Sequence, residues 1–123
     1  MEIKVGEYVR TKGGVIGKIS KFEFTGPDDT DILIVFKNHY GIGCVDETEI
    51  LKHSFNIIDL IEVGDYVNGH LVINTYQDID DYGKDFIIVQ VESDILLHKS
   101  LEEKHIKSIV TKEQFESMKY EVF

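Results

Sequence analysis

The sequence contains one seven-residue phrase twice: IKVGEYV at residues 3–9 and IEVGDYV at residues 61–67, fifty-eight positions apart. In each copy a glycine followed by an acid indicates a turn, and the tyrosine and valine that follow begin a β-strand. Self-similarity at the period of a small domain is typical of duplicated structural units. The repeat therefore predicts two similar β-rich halves.

Turn signals follow both copies of the phrase. Gly13 and Gly14 make a turn after the first copy, and the strand at residues 15–19 returns from it. After the second copy, Asn68 and Gly69 form a two-residue hairpin signal that favours positive φ at both positions. Each half is therefore expected to open with a β-hairpin.

Both halves then continue in the same order: an acidic loop, an apolar strand, a short strand and a second acidic stretch. In the first half these segments lie at 26–31, 32–36, 43–45 and 46–49. In the second half they lie at 78–83, 86–89, 95–98 and 102–103. Short helical turns are expected near the end of each half, where Asn56 with Asp59 and Thr111 with Gln114 have the spacing of helix caps.

The opening hairpin of the first half resembles that of SH3-like barrels. The sequence thus predicts a mainly β protein with short helices, built as two tandem SH3-like small β-barrels at residues 1–60 and 61–123. The junction at 57–61 is apolar and has no Gly/Ser spacer, so the barrels are expected to pack as one rigid unit. The alternative is a single mixed β-domain whose halves resemble each other by chance.

The charge is distributed unevenly along the chain. The net charge is −10, but residues 1–21 carry five basic and two acidic side chains, a net charge of +3. Residues 22–103 carry four basic and eighteen acidic side chains, a net charge of −14. Such a segment repels phosphate. The charge therefore favours a basic protein as the partner and disfavours direct nucleic-acid binding.

Two sets of charged residues are candidate binding sites. The acidic set, expected to contact a protein partner, consists of Asp28, Asp29, Asp31, Asp46, Glu47, Glu49, Asp78, Asp80, Asp81 and Asp85. The basic set, a candidate contact for nucleic acid, consists of Arg10, Lys12, Lys18 and Lys21. The alternative for both sets is a solvated surface that keeps the protein soluble.

Metal and cofactor motifs are incomplete. Asp78 and Asp80 occupy the first and third positions of an EF-hand-like loop, but Val89 stands where the bidentate glutamate belongs. The histidines lack the spacing of zinc sites, although His98 and His105 could meet across adjacent strands. No cofactor is therefore expected.

Catalytic motifs are also incomplete. Cys44 and His39 would be a nucleophile and its base, but no third residue is placed to orient them. Cys44 lies in an apolar strand, where a buried structural thiol is expected. The glycine pairs lack the lysine and the strand-to-helix context of a phosphate-binding loop. The chain is therefore expected not to be an enzyme.

Nothing in the sequence indicates export or membrane insertion. The first residues include an acid and lack the apolar run of a signal peptide. No stretch approaches the roughly 18 apolar residues of a membrane span. With one cysteine, the chain cannot form an internal disulfide. A cytoplasmic protein is expected.

Three segments resemble a group of small phage and prophage accessory proteins of Gram-positive bacteria: IKVGEYVRTKGGVIGKI at 3–19, KHSFNIIDLIEVGDYVNG at 52–69 and IKSIVTKEQFESMKYEV at 106–122. The resemblance implies action inside an infected host cell, where small acidic proteins often inhibit host defence, anti-CRISPR proteins included. The implied partner is a basic nucleic-acid-binding protein such as an RNA-guided nuclease, whose nucleic-acid channel an acidic surface would block.

Two other functions fit the same sequence. The chain could be an SH3-like adaptor that recruits a protein through an aromatic groove lined by Tyr8, Tyr66 and Tyr76. It could also be a weak nucleic-acid binder that uses the basic hairpin at residues 10–21.

Overall fold

The computed structural model describes residues 2–25, 31–93 and 99–118, and the chain divides into two compact units, Met1–Asn56 and Ile57–Phe123. Each unit contains one five-stranded antiparallel sheet, so the prediction of a mainly β protein is confirmed. No helix within these described ranges is long and apolar enough to cross a membrane.

The strands of the first unit are β1 (Tyr8–Thr11), β2 (Ile16–Thr25), β3 (Asp31–Asn38), β4 (Gly41–Asp46) and β5 (Ile50–Ser54). They lie in the order β4-β3-β2-β1-β5, so the last strand pairs with the first. A short 3-10 helix, Glu47–Glu49, connects β4 to β5. The pairing of β2 with β3 shifts at a bulge between Ile19 and Lys21, where the local twist of β2 increases.

The strands of the second unit are β6 (Tyr66–Val67), β7 (His70–Ile79), β8 (Asp85–Val91), β9 (Lys99–Leu101) and β10 (Ile109–Val110). Their order, β10-β6-β7-β8-β9, is the order of the first unit, with a 3-10 helix (Glu103–His105) again between the fourth and fifth strands. A bulge again interrupts the second strand, between Val72 and Asn74. A 3-10 helix (Ile57–Leu60) precedes this sheet and helix α1 (Lys112–Met118) follows it.

Each unit has its own small apolar core. In the first unit the buried residues are Val9, Ile19, Ile34, Phe36 and Ile50. In the second they are Ile58, Ile61, Val67, Val72, Val89, Val91 and Leu101. Val9 and Val67, the last residues of the two repeated phrases, are fully buried. The repeated valine therefore anchors the first strand of each sheet in its core, where burying such a side chain stabilises the fold by about 1.5–3 kcal/mol.

Closure of the sheets differs from the prediction. Within the described residues β4 and β5 are the edges of the first sheet, β9 and β10 are the edges of the second, and no pairing joins the edges into a closed barrel. The mainly β class is thus established, whereas the SH3-like barrel stays a prediction.

Several local predictions are confirmed. Asn68 and Gly69 have φ values of 53° and 82°, so both turn residues of the β6–β7 hairpin are left-handed. Thr111 and Gln114 form the reciprocal capping box of α1: the Thr111 N–H donates to Gln114 Oε1 at 3.2 Å and the Gln114 N–H donates to Thr111 Oγ1 at 3.3 Å. The 3-10 helix Ile57–Leu60 starts differently, because the Ile57 N–H donates to Glu103 Oε1 at 3.0 Å.

Candidate functional site

The acid of the first repeated phrase, Glu7, closes a turn and is only 6% exposed. Its Oε2 accepts a hydrogen bond from the Lys4 backbone N–H at 2.6 Å, and its Oε1 lies 3.0 Å from His53 Nδ1 on β5. The Glu7 carboxylate therefore ties the start of the sheet to its last strand. It serves the fold and is not part of a solvent-facing acidic surface.

The pKa of Glu7 reflects these contacts. Burial by itself raises the pKa, but the hydrogen bonds from the Lys4 backbone and from His53, with the positive charge of both residues, outweigh it. The pKa of Glu7 is consequently lowered from its ordinary value of 4.5. The folded state thus favours the ionised carboxylate.

Asp65 has the same structural role in the second unit. It is fully buried, and its two carboxylate oxygens accept hydrogen bonds from the Glu62 N–H at 2.7 Å and the Lys112 N–H at 2.9 Å. The Lys112 ammonium also donates to Glu62 Oε1 at 2.8 Å, and this hydrogen bond raises the pKa of Lys112. Asp65 therefore joins the opening turn of the unit to the start of α1.

The acidic hairpin is the exposed segment that carries the largest group of the predicted acidic residues. We define it as residues 78–85, the turn between β7 and β8 with its flanking strand ends, and all of these residues are exposed. It contains four of the predicted acidic residues, Asp78, Asp80, Asp81 and Asp85, against the single cation of Lys84. Ile79 and Tyr82 are 63% and 96% exposed on the same segment.

Asp80 shapes the tip of the acidic hairpin. Its Oδ1 accepts hydrogen bonds from the Tyr82 and Lys84 backbone N–H groups, both at 2.9 Å. Its own N–H donates to the Lys84 carbonyl, and its carbonyl accepts from Gly83, which has a φ of 77°. The Asp80 carboxylate is thus committed to the turn. Asp78 Oδ1 accepts the N–H of the neighbouring Ile79 at 2.8 Å, and Asp78, Asp81 and Asp85 are the other exposed acids of the hairpin.

The charge of the acidic hairpin is not neutralised locally. Among the side chains that the structure describes, no lysine or arginine forms an ion pair with Asp78, Asp80, Asp81 or Asp85. The second unit carries six basic and fourteen acidic residues, a net charge of −8, whereas the first carries seven and nine, a net charge of −2. Negative potential is therefore concentrated in the unit that presents the acidic hairpin.

The other predicted acidic residues belong to the first unit. Asp46, Glu47 and Glu49 are exposed, and Asp46 caps the 3-10 helix Glu47–Glu49 by accepting the Thr48 N–H at 2.9 Å. Asp31 begins β3 opposite Thr25. Asp28 and Asp29 lie outside the described residues.

The basic set is only partly on the surface. Arg10 is fully buried, whereas Lys12, Lys18 and Lys21 are exposed. Arg10 is thus placed as a structural residue, and a direct contact of its guanidinium with nucleic acid does not fit this position. The sequence reasoning missed Lys37, an exposed lysine on β3 that lies directly opposite Lys18. Strand pairing places the two lysines opposite each other, and this pairing cannot be predicted from their positions in the sequence.

The three tyrosines of the adaptor hypothesis have different surroundings. Tyr66 is half-buried and stacks on Phe115 of α1, with ring centroids 4.9 Å apart. Tyr8 is half-buried with Lys18 Nζ 5.6 Å from its ring centroid. Tyr76 is exposed on β7. Tyr8 and Tyr66 thus already have internal partners, so they offer little free ring surface.

Cys44, His39 and His105 are all exposed on their own units. The expectation that Cys44 is buried is wrong: it is exposed on β4, on the face opposite to that of Val45, which packs against the core.

His39 contacts the Tyr40 ring edge-on, and His105 Nδ1 accepts the Glu102 N–H at 3.1 Å. His98 and the strand predicted near 95–98 lie outside the described residues. In the described part of the chain, no group of three or more His, Cys, Asp or Glu side chains could hold a metal ion.

Comparison with known proteins gives no relative: no family model, no curated protein and no solved structure matches this chain. Its candidate function therefore rests on the charges and geometry of its own residues.

Proposed function

We propose that this chain is a non-enzymatic phage or prophage protein that binds a basic defence nuclease in the host cytoplasm and blocks the access of nucleic acid. The proposed partner is an RNA-guided nuclease, which makes the protein anti-CRISPR-like. One observation carries the proposal: the acidic hairpin presents exposed carboxylates, without lysine or arginine partners among the described residues, on a turn built by Asp80.

The electrostatics suit such a partner. An RNA-guided nuclease holds its heteroduplex in a positively charged channel. The outward carboxylates of Asp78, Asp81 and Asp85 have the sign that such a channel attracts, and the net charge of −8 of their unit adds long-range steering. Asp46, Glu47 and Glu49 are proposed as a second, weaker acidic contact.

The geometry of the acidic hairpin also suits a binding role. Because Asp80 fixes the turn before binding, less conformational entropy is lost on association. The exposed Tyr82 and Ile79 supply apolar contact area beside the charges, and tyrosine is enriched among residues that dominate binding energies. The segment thus combines charge, apolar area and a preformed shape.

In this proposal each unit is an SH3-like barrel that serves as a scaffold. The shared strand order, the 3-10 helix between the fourth and fifth strands and the bulge in the second strand support it. The expectation from the sequence that the two barrels pack as one rigid unit stays a prediction.

Inhibition of a guide-loaded Cas9-type nuclease tests the proposal. The test variant is Asp78→Lys/Asp81→Lys/Asp85→Lys, which leaves the turn-forming Asp80 intact. The matched control is Glu2→Lys/Glu92→Lys/Glu116→Lys, which makes the same change of charge at three exposed positions elsewhere. The unaltered protein and the control are expected to inhibit cleavage, and the test variant is expected to inhibit at least about tenfold more weakly, with less salt dependence.

Two results would overturn parts of the proposal. If the unaltered protein neither binds nor inhibits any RNA-guided nuclease, the proposed partner class is wrong. If the folded test variant inhibits as well as the control, the acidic hairpin is not the contact.

A further inference from the structure

A row of residues across the first sheet has a charge opposite to that of the protein as a whole. Tyr8, Lys18, Lys37 and Ile42 are successive register partners on β1, β2, β3 and β4. Directly paired residues of antiparallel strands project from the same face. We name these four residues the lysine row; it places two lysines opposite each other at the centre of the face.

The two lysines are an unfavourable pair in the free protein. Like charges directly opposite each other destabilise a sheet. Lys18 Nζ lies over the Tyr8 ring, 5.6 Å from its centroid, whereas Lys37 is exposed and forms no ion pair with any described residue. An anion bound to this face of the sheet would offset the repulsion between the two positive charges. This arrangement therefore indicates a binding site for negative charge.

The surface beside the lysine row is concave. An open depression of about 470 Å³ is lined by Ser20, Lys21, Glu23, Val35, Lys37 and Ile42. Val35 is buried and forms an apolar floor, and Ile42 at the edge is 72% exposed. Lys21 lines the depression in an ion pair with Glu23 at 2.9 Å. The depression thus combines an apolar surface with Lys37 and with the Lys21–Glu23 ion pair.

An exposed aromatic ring lies at the same end of the sheet. Tyr40, in the turn between β3 and β4, is 88% exposed and follows Lys37 by three positions. Asn38 fixes the turn, because its Oδ1 accepts the Tyr40 N–H at 2.9 Å and its Nδ2 donates to the Ile16 carbonyl at 3.1 Å. The ring is therefore presented to solvent by an ordered turn.

We infer that the lysine row, Lys21 and Tyr40 form a binding site for single-stranded nucleic acid. Lysines that follow the phosphates and an aromatic ring that stacks on a base are the two components of such sites. An acidic peptide would use the lysines but has no comparable need for the exposed ring. The first unit carries a net charge of only −2, so it repels a polyanion less than the second unit does.

This site differs from the basic hairpin expected from the sequence. Arg10 is buried and does not belong to it, while Lys37 and Tyr40 come from β3 and the turn that follows. The site also does not depend on the acidic hairpin, which belongs to the other unit. Failure of either proposal therefore leaves the other standing.

Fluorescence anisotropy with a fluorescein-labelled oligothymidylate of about 12 nucleotides, in about 50 mM salt, tests the inference. The unaltered protein is expected to bind saturably, with an affinity that falls as salt rises. Lys18→Ala/Lys37→Ala is expected to bind at least about tenfold more weakly, and its log–log salt slope should be shallower by about 1.4, since each single-strand phosphate contact contributes about 0.7. Tyr40→Ala is expected to bind about tenfold more weakly with the same salt slope.

The matched control is Lys99→Ala/Lys107→Ala, which removes two exposed lysines from the second unit and should leave the affinity unchanged. The lysine-row variant should melt no lower than the unaltered protein, since it removes a like-charge pair. Absence of saturable binding, or an equal loss in the control, would overturn the inference. Displacement of the oligonucleotide by an equal concentration of an oligoglutamate peptide would also overturn the inference, because the site would then be one for acidic peptides.

Discussion

The Phe36 ring lies directly against the backbone of Gly43 on the neighbouring strand: a Cβ added at Gly43 would stand 2.7 Å from Phe36 Cζ. The same ring covers Gly17 of β2 more closely still, at its Cδ2 atom. Phe36 is 4% exposed and belongs to the core of the first unit. The two glycines thus provide the space that the largest apolar side chain of this core occupies.

Adding a methyl group at either glycine is expected to destabilise the first unit. Gly17→Ala and Gly43→Ala force the Phe36 ring to move, and overpacking of this kind costs about 1–3 kcal/mol. Gly13→Ala is the matched control, because its nearest neighbour, Thr11 Oγ1, would lie 3.9 Å from the new Cβ. The measurement is the urea midpoint of each variant. Equal midpoints for Gly17→Ala and Gly13→Ala would contradict the packing of Phe36.

The contacts of Glu7 with Lys4 and His53 predict a pH-dependent contribution to stability. At pH 7, Glu7→Gln is expected to lower the free energy of unfolding by about 1–3 kcal/mol, because the negative charge and one of the two acceptor oxygens are lost. Since folding lowers the pKa of Glu7 from 4.5, its contribution is fully present above that pH and disappears as the pH falls through the folded-state pKa.

The difference in unfolding free energy between the unaltered protein and Glu7→Gln should therefore narrow in acid. Urea denaturation of both proteins at neutral pH and near the folded-state pKa measures it, with the exposed Glu2→Gln as the control. A difference that stays constant with pH would show that the Glu7 charge does not stabilise the fold.

The buried carboxylate of Asp65 is expected to be more important to stability than any exposed acid. Asp65→Asn keeps one acceptor oxygen and replaces the other with an NH2 donor, so only one of the Glu62 and Lys112 N–H groups keeps its acceptor. The loss of the other hydrogen bond at this buried position should cost about 1–3 kcal/mol or more. Asp81→Asn, at an exposed position, should stay within about 0.5 kcal/mol of the unaltered protein. Similar midpoints for the two variants in urea would contradict the structural role of Asp65.

Substitution of Asp80 is expected to change the local dynamics of the turn and to change the global free energy of unfolding little. Asp80→Ala removes the acceptor of the Tyr82 and Lys84 N–H groups, so both amides should exchange with solvent faster. Asp80→Asn keeps a carbonyl acceptor and should retain much of the protection. Amide hydrogen exchange followed by NMR measures both, with Asp81→Ala as the control. Unchanged exchange in Asp80→Ala would show that the turn forms without this carboxylate.

Features encoded by neighbouring residues could be predicted from the sequence. The Asn68-Gly69 turn and the Thr111–Gln114 capping box depend on residues at most three positions apart, and the structure has both. Each repeated phrase has two valines with different environments: Val9 and Val67 are buried in the cores, whereas Val5 and Val63 are 52% exposed. The glycine-acid turn between the two valines places only the second one in a strand.

Features that depend on strand pairing could not be predicted. The opposition of Lys18 and Lys37 requires the register of β2 against β3, and the bulge after Ile19 shifts that register. Cys44 is exposed because its side chain projects from the face of β4 that does not meet the core. In an apolar strand with two glycines, the alternation of residues does not reveal which face that is. The burial of Arg10 was likewise hidden, since a charged residue in a short strand is usually a surface residue.

Competition for a guide-loaded RNA-guided nuclease tests the central claim most directly. The nuclease is first incubated with the protein, and the binding of a fluorescent DNA duplex that carries the target and its PAM is then followed. The acidic hairpin predicts stoichiometric inhibition of DNA binding by the unaltered protein and by Glu2→Lys/Glu92→Lys/Glu116→Lys, and inhibition at least about tenfold weaker by Asp78→Lys/Asp81→Lys/Asp85→Lys. Equal inhibition by all three proteins, or no inhibition by any of them, would contradict the claim that this hairpin blocks the access of nucleic acid.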